Sequence, residues 1–184
     1  MIHYFNLKDA PFEKIANGTK TIELRLFDEK RQAICVGDYI VFSSDAGKRI
    51  SVVVKTLHRF DDFKALYQSL DLLKCGYDES NVARAEYTDM NEYYSADDIK
   101  KYGVVGIAFS KVELWDAYDA QMNKIEDVVL VRGEPIQSGI YHIVCEIMVE
   151  HVDGTYLLMK RDLNKHFGGM WELTAGGSAL QDDR

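Results

Sequence analysis

Proline is nearly absent: two occur in 184 residues, and no serine-rich run accompanies them, which argues against a long disordered linker. Cysteine is scarce as well. Cys35, Cys75 and Cys145 are isolated and odd in number, with no C-x-x-C pair for a zinc or redox centre. They read as buried, reduced thiols of a cytoplasmic protein. His3, His142, His151 and His166 make no metal-ligand spacing with them, so no structural metal is expected. No apolar run approaches the roughly 20 residues of a membrane span. The opening MIHYFNLKDAPFEK has neither the basic start nor the apolar stretch of a secretory leader. A cytoplasmic chain with no membrane partner is the expectation.

Charge is unevenly spread. Residues 1–111 are almost neutral at −1, whereas residues 112–184 carry −7 of the total of −8. A nearly neutral first part can still hold a local basic cleft, but the acidic second part would repel a phosphate backbone. The step suggests two modules, 1–111 and 112–184.

In the first module HYFNL, TIELRL, VGDYIVF, ISVVVKTLHRF and VVGIAFSKVEL read as strands. PFEKIANG, DDFKALYQSLDLL and SADDIKKYG read as helices, the last with Ser95 as N-cap and Gly103 as stop. In the second, ELWDAYDA, DVVLVRGE, YHIVCEIMVEH, TYLLMKR and MWELTA are strand candidates, VDGTY is a tight hairpin turn, and no helical period appears.

The chemistry-bearing string is NGTKTIELRL. Lys20 follows the Asn17-Gly18 turn, and Glu23 and Arg25 share one face of a strand whose alternate residues, Ile22, Leu24 and Leu26, are apolar. A carboxylate and a guanidinium side by side can read the edge of a base or hold a small polar ligand. The same pattern also describes a solvated edge strand with a surface ion pair worth about 0–1 kcal/mol. His58 and Arg59 end a strand and could line the same cleft, although a lone histidine such as His58 is more often structural. Tyr93 and Tyr94 offer an aromatic face for a base, worth about 1–3 kcal/mol per stacked base. One of the two belongs to the core, and the sequence does not say which.

The string G-x-K-x-x-E-x-R, here Gly18, Lys20, Glu23 and Arg25, resembles the signature of the ASCH domain family, a relative of the PUA RNA-binding fold. The resemblance covers roughly residues 1–111 and takes in VGDYIVF and MNEYYSADDIKKYGVVGI. It implies a small β-barrel with inserted helices and a cleft lined by Lys20, Glu23 and Arg25, with RNA or a nucleotide-like small molecule as partner. Some members are enzymes. Relatives that deacetylate N4-acetylcytidine use a lysine, a threonine three positions later and a distant glutamate. Lys20 matches the first, but Glu23 occupies the threonine position, and a carboxylate does not replace a hydroxyl nucleophile. Thr19 and Thr21 are aimed differently by strand alternation. An amidohydrolase or ribonuclease acting through Lys20 and Glu23 is the alternative to a binding domain.

Residues 112–184 resemble the opening of a Nudix hydrolase, on WDAYDA, YLLMKRD and GGMWEL-x-x-GG. That family implies an α/β/α sandwich and a pyrophosphohydrolase of nucleoside-diphosphate derivatives that uses Mg²⁺ or Mn²⁺ held by glutamates of one helix. Aligning Gly177 with the family's motif glycine puts Asp183 at the first metal-binding position, and the sequence ends at Arg184. The expectation is therefore α+β: a PUA-like small barrel followed by an incomplete, mostly β Nudix-like sheet without its catalytic helix, without Nudix activity, and with no cofactor or metal in this chain. Its strands should be marginally ordered or sticky.

Overall fold

Strand β1 (Ile2–Leu7) opens the computed structural model, which describes residues 1–165, 167–173 and 175–181. The chain forms two compact units, Met1–Val112 and Glu113–Arg184. In the first, helix α1 (Asp9–Ala16) follows, then β2 (Ile22–Leu26), the single turn α2 (Glu29–Gln32), β3 (Tyr39–Ser44) and β4 (Arg49–Phe60). Helix α3 (Phe63–Ser69), a 3₁₀ segment (Tyr87–Glu92), helix α4 (Ala96–Tyr102) and β5 (Val104–Val112) complete it.

The five strands form one curled sheet in the order β1-β3-β4-β5-β2. β1 runs parallel to β3, and every other pair is antiparallel. A register shift between Val54 and Thr56 bends the long strand β4. The curl is that of a half-barrel, and its two edges, β1 and β2, do not pair in a ladder with each other. The expected small β-barrel takes the form of a curled half-barrel, open along one side.

Alternation sorts the side chains of β2 and β5 between two clusters. Val105, Ile107 and Phe109 join Phe5, Phe42, Val52 and Val54 in a core closed by Phe12 and Ile15 of α1. Val104, Ile22 and Leu24 instead pack with Phe63 and Leu66 of α3. Glu23 pairs with Ile107 and Arg25 with Val105, so the polar side of β2 shares the face of the first core. This is why TIELRL is buried on both sides rather than half solvated.

Helix α3 stops at Ser69, short of the helix expected through Leu73, because Leu70 turns to an extended backbone. The Leu70 side chain then packs over Gly106, where an added Cβ would lie 2.6 Å from Leu70 Cδ1. The chain continues to Lys74, whose carbonyl accepts the amides of both Thr21 and Ile22 at 2.9 Å. Satisfying these donors at the start of an edge strand outweighs another helical turn. The Ser95 hydroxyl caps α4, and Gly103 ends it with φ of +68°.

The second unit holds β6 (Leu114–Tyr118), β7 (Lys124–Val131), β8 (Val144–Ile147), β9 (Leu158–Lys160), β10 (Trp171–Leu173) and β11 (Ala175–Ser178). They form three separate two-stranded ladders, β6-β7, β8-β11 and β9-β10, and not the single sheet expected of a Nudix-like part. The VDGTY turn joins its flanks by the isolated bridge Glu150–Tyr156. Trp115, Ala117 and Leu130 make a small core, with Trp115 stacked on His142 at 4.1 Å. Asp183 and His166 lie outside the described residues.

All three cysteines are free, but only Cys75 is buried; Cys35 and Cys145 are exposed, against the expectation of three buried thiols. No helix among the described residues is long and apolar enough to cross a membrane. Among the described residues no group of three or more His, Cys, Asp or Glu is arranged to hold a metal ion.

Two outcomes follow from this packing. Two-stranded ladders are marginal alone, and Val152, Leu163 and Trp171 are largely exposed. Limited trypsinolysis should therefore leave an N-terminal fragment ending near Val112, and a C-terminal fragment that survives as long would refute this. Asp38 accepts from the Met1 ammonium at 2.7 Å, His3 at 2.9 Å and the Cys35 amide at 2.9 Å. Burial opposes its ionisation, but these bonds win and hold its pKa at about 2, below its ordinary 3.8. A depressed carboxylate stabilises the fold above its unfolded pKa and loses that contribution as pH falls through the folded value. The urea stability gap between wild type and Asp38→Asn should be full above about pH 4 and shrink towards pH 2.

Candidate functional site

Because β1 and β2 leave the half-barrel open, the polar face of β2 is not sealed by a neighbouring strand. A cleft of about 450 Å³ lies there, lined by Asn6 and Lys8 at the end of β1, Lys14 of α1, and Lys20, Glu23 and Arg25. Tyr67, Cys75, Gly76 and Tyr77 line it from the α3 side, with Met90, Tyr93 and Tyr94 from the 3₁₀ segment and the residues after it.

At its centre Glu23 is buried, with a side chain 5 % exposed. Arg25 Nε donates to its Oε1 at 2.8 Å, and Lys20 Nζ lies 2.9 Å from Oε2. That second contact is an ion pair outside hydrogen-bond geometry, so Oε2 has a counter-charge but accepts no directed bond. Arg25 also reaches across the open edge, its Nη2 donating to the Asn6 carbonyl at 3.4 Å, and its guanidinium lies over the Phe5 ring. Burial disfavours the Arg25 cation, but the Glu23 carboxylate and the Tyr94 phenol beside it reverse the balance and raise its pKa. Burial likewise raises the Tyr94 pKa, against the pull of Arg25.

Lys20 is set by a second layer. Its amide donates to the Lys14 carbonyl at 2.9 Å, and Lys14 Nζ donates to the Gly76 carbonyl at 2.6 Å. Gly76 has φ of +109°, and a Cβ there would sit 3.1 Å from Lys20 Cδ. Glycine at 76 thus meets two demands at once, a positive φ and room for the Lys20 stem. Tyr77 donates to Asp89 Oδ2 at 2.7 Å, and the Tyr67 and Tyr77 hydroxyls are 2.8 Å apart. Burial raises the pKa of both phenols.

Lys20, Glu23, Arg25, Tyr93 and Tyr94 therefore meet in one cleft. The two tyrosines divide: Tyr94 is the inner one, stacked on Phe63 at 5.7 Å, and Tyr93 is 56 % exposed beneath the Lys8 ammonium. His58 and Arg59 do not line this cleft. Arg59 lies over Phe27 at 4.4 Å and borders a different cavity. Sequence reasoning missed Lys8, Lys14, Tyr67, Gly76 and Tyr77. The turn-prone Cys75-Gly76-Tyr77-Asp78 run was the one visible signal, and it does not announce which strand it will meet.

Four cations, Lys8, Lys14, Lys20 and Arg25, face the cleft against one carboxylate, Glu23. In a chain of net charge −8 this is a local reversal of sign that suits an anionic ligand. Nucleophiles are less well provided. The Thr19 hydroxyl is bonded within its turn to Asn17 and the Lys14 carbonyl. The Cys75 thiol is pushed up to about 11, chiefly by burial, and stays protonated near neutral pH.

The ASCH domain family matches residues 5–136. The crystal structure of hypothetical protein PH0355 is 32 % identical, with a TM-score of 0.50 over 60 % of this chain and 99 % of that one. The solution NMR structure of protein PF0455 from Pyrococcus furiosus is 30 % identical, with a TM-score of 0.48 over 60 % and 97 %. No curated protein matches the sequence. The Nudix resemblance of residues 112–184 finds no support in these matches, and the family match itself runs past Val112.

Replacing Glu23 by Gln would leave Lys20 and Arg25, both mostly buried, without their counter-charge. The expected cost is about 2–4 kcal/mol, towards the lower part of the range for a broken buried pair because both cations keep some solvent contact. Urea denaturation at pH 7 measures it, and a change within about 0.5 kcal/mol, the size of a surface substitution, would contradict the central role given to Glu23.

Proposed function

The chain belongs to the ASCH domain family, and on that premise we propose that its cleft binds RNA or a nucleotide-like ligand. The observation that carries this reading is the convergence of four cations and an exposed aromatic ring around one buried carboxylate. Lys20 and Arg25 meet phosphate or carbonyl oxygens, for which ammonium and guanidinium donors are suited. Glu23 fixes the positions of both. To accept a hydrogen bond from a base amine it would first have to release one of them, so its direct contact with ligand is secondary to its placing of the cations. Tyr93 supplies the face on which a base stacks, and Tyr94 backs it from the core side.

Binding is favoured over hydrolysis through Lys20 and Glu23. The pair lacks a partner nucleophile, since the Thr19 hydroxyl is committed to its turn and the Cys75 thiol is protonated. A hydrolytic role would have to take its nucleophile from the ligand or from water.

Titration of the full chain with short single-stranded RNA and with nucleoside monophosphates tests the proposal. Tyr93→Ala should weaken binding by roughly 5- to 150-fold, the equivalent of one lost base stack. Lys20→Ala keeps the Arg25–Glu23 pair, so it tests the ammonium without leaving a lone buried charge. Binding unchanged in both variants would remove the cleft from consideration. No acetate should be released from N4-acetylcytidine; its release would restore the amidohydrolase reading.

A further inference from the structure

A second cavity, of about 1040 Å³, lies between the end of β4, the start of α3, the 3₁₀ segment and α4. Arg59, Lys64, Lys100 and Lys101 line it, against the carboxylates of Asp61 and Asp62. Its cations differ from those of the cleft in one respect. Lys20 and Arg25 are already neutralised in part by Glu23, whereas among the described residues none of these four lies within ion-pair distance of a carboxylate. Asp62 is occupied, accepting from the Ala65 amide at 2.8 Å as the cap of α3. The Arg59 guanidinium lies over the Phe27 ring at 4.4 Å, and Lys101 Nζ donates to the Tyr102 hydroxyl at 2.6 Å. Tyr87 adds a ring that is 45 % exposed.

The two cavities share a wall one segment thick. Met90 faces the cleft, while Tyr87, Thr88 and Asn91 of the same 3₁₀ segment face the groove. Tyr94 of the cleft stacks on Phe63 of the groove at 5.7 Å. Unpaired cations interleaved with aromatic faces, set beside a nucleotide-sized cleft, are the elements by which a single strand is held: charges track the backbone and rings take bases.

Resting on the reading of the cleft given above, we infer that the groove is a subsite for single-stranded RNA. It holds the sugar-phosphate backbone that continues from a nucleotide in the cleft, with Lys100, Lys101, Lys64 and Arg59 on the phosphates and Tyr87 beside a neighbouring base. The ligand class is then an oligonucleotide rather than a free nucleotide, and the protein reads a strand that passes over the 3₁₀ wall.

Fluorescence anisotropy with a 5′-labelled uridine pentanucleotide, competed by uridine monophosphate over a range of salt, tests this on the full chain. Lys100→Gln/Lys101→Gln changes two exposed residues outside the cleft, and a melting curve matching the wild type checks its fold. Wild type should bind the pentanucleotide more tightly than the monophosphate. The groove variant should lose about tenfold or more for the pentanucleotide, its log–log salt slope falling by roughly 0.7 per phosphate contact removed, with monophosphate competition unchanged. Equal affinity for both ligands in the wild type, or a groove variant that binds the pentanucleotide normally, overturns the inference and leaves the cleft reading standing. Loss in the groove variant with no effect of Tyr93→Ala or Lys20→Ala sinks the cleft reading, and with it the strand path over the 3₁₀ wall. Absence of any RNA or nucleotide binding overturns both.

Discussion

A carboxylate held inside the protein between two cations organises the first unit. Glu23 is on an edge strand, where sequence alternation would normally send a charged side chain to water. Here the half-barrel curls its polar side inward, and the buried carboxylate is compensated there by Arg25 and Lys20. Each cation is in turn tied to something further away. Arg25 reaches Asn6 on the opposite edge, and Lys20 is threaded past Gly76, whose loop also captures the amides at the start of β2. One charge thus couples both free edges of the sheet and the loop after α3. The cleft is the space that this coupling leaves open.

That arrangement also separates two kinds of positive charge. The cations of the cleft are fixed in direction by partners, a condition suited to recognising a particular ligand edge. Those of the neighbouring groove hang on exposed side chains without carboxylate partners, a condition suited to following a backbone without reading it. A nearly neutral unit can therefore hold local fields of one sign, because its carboxylates are spent elsewhere: Asp28 on Arg31, Asp38 on the N-terminus, Asp89 on Tyr77.

Much of this was legible in the sequence, and the failures have physical causes. Period-two alternation in TIELRL located β2 and put Glu23 and Arg25 on one face, yet alternation alone gives no sign of whether that face looks at solvent or into a curl. Helical spacing in DDFKALYQSLDLL overran its end, since the demand of the Thr21 and Ile22 amides for an acceptor comes from a strand fifty residues earlier. Tyr93 and Tyr94 are identical in sequence terms, and only contact with Phe63 separates core from surface. His58 and Arg59 share a strand end with the right polarity, but neither lines the cleft, and Arg59 borders the other cavity. In residues 113–184 the strand candidates formed, but which strand pairs with which is a long-range property. VDGTY suggested a hairpin of β8 and β9, whereas β8 pairs with β11 and β9 with β10.

The phenol pair in the cleft has a built-in direction. Tyr77 owns one hydroxyl proton and gives it to Asp89, a carboxylate that can only accept. The 2.8 Å contact between the two hydroxyls must then be a donation from Tyr67, which spends its own proton there. What remains on the Tyr67 oxygen is lone pairs. An aspartate on the exposed 3₁₀ turn thereby dictates that the Tyr67 hydroxyl offers acceptance and not donation, opposite in sense to the ammonium and guanidinium groups of the same cleft. A ligand that met both kinds of group would have to carry a donor as well as an acceptor, which a nucleobase does and a bare phosphate does not.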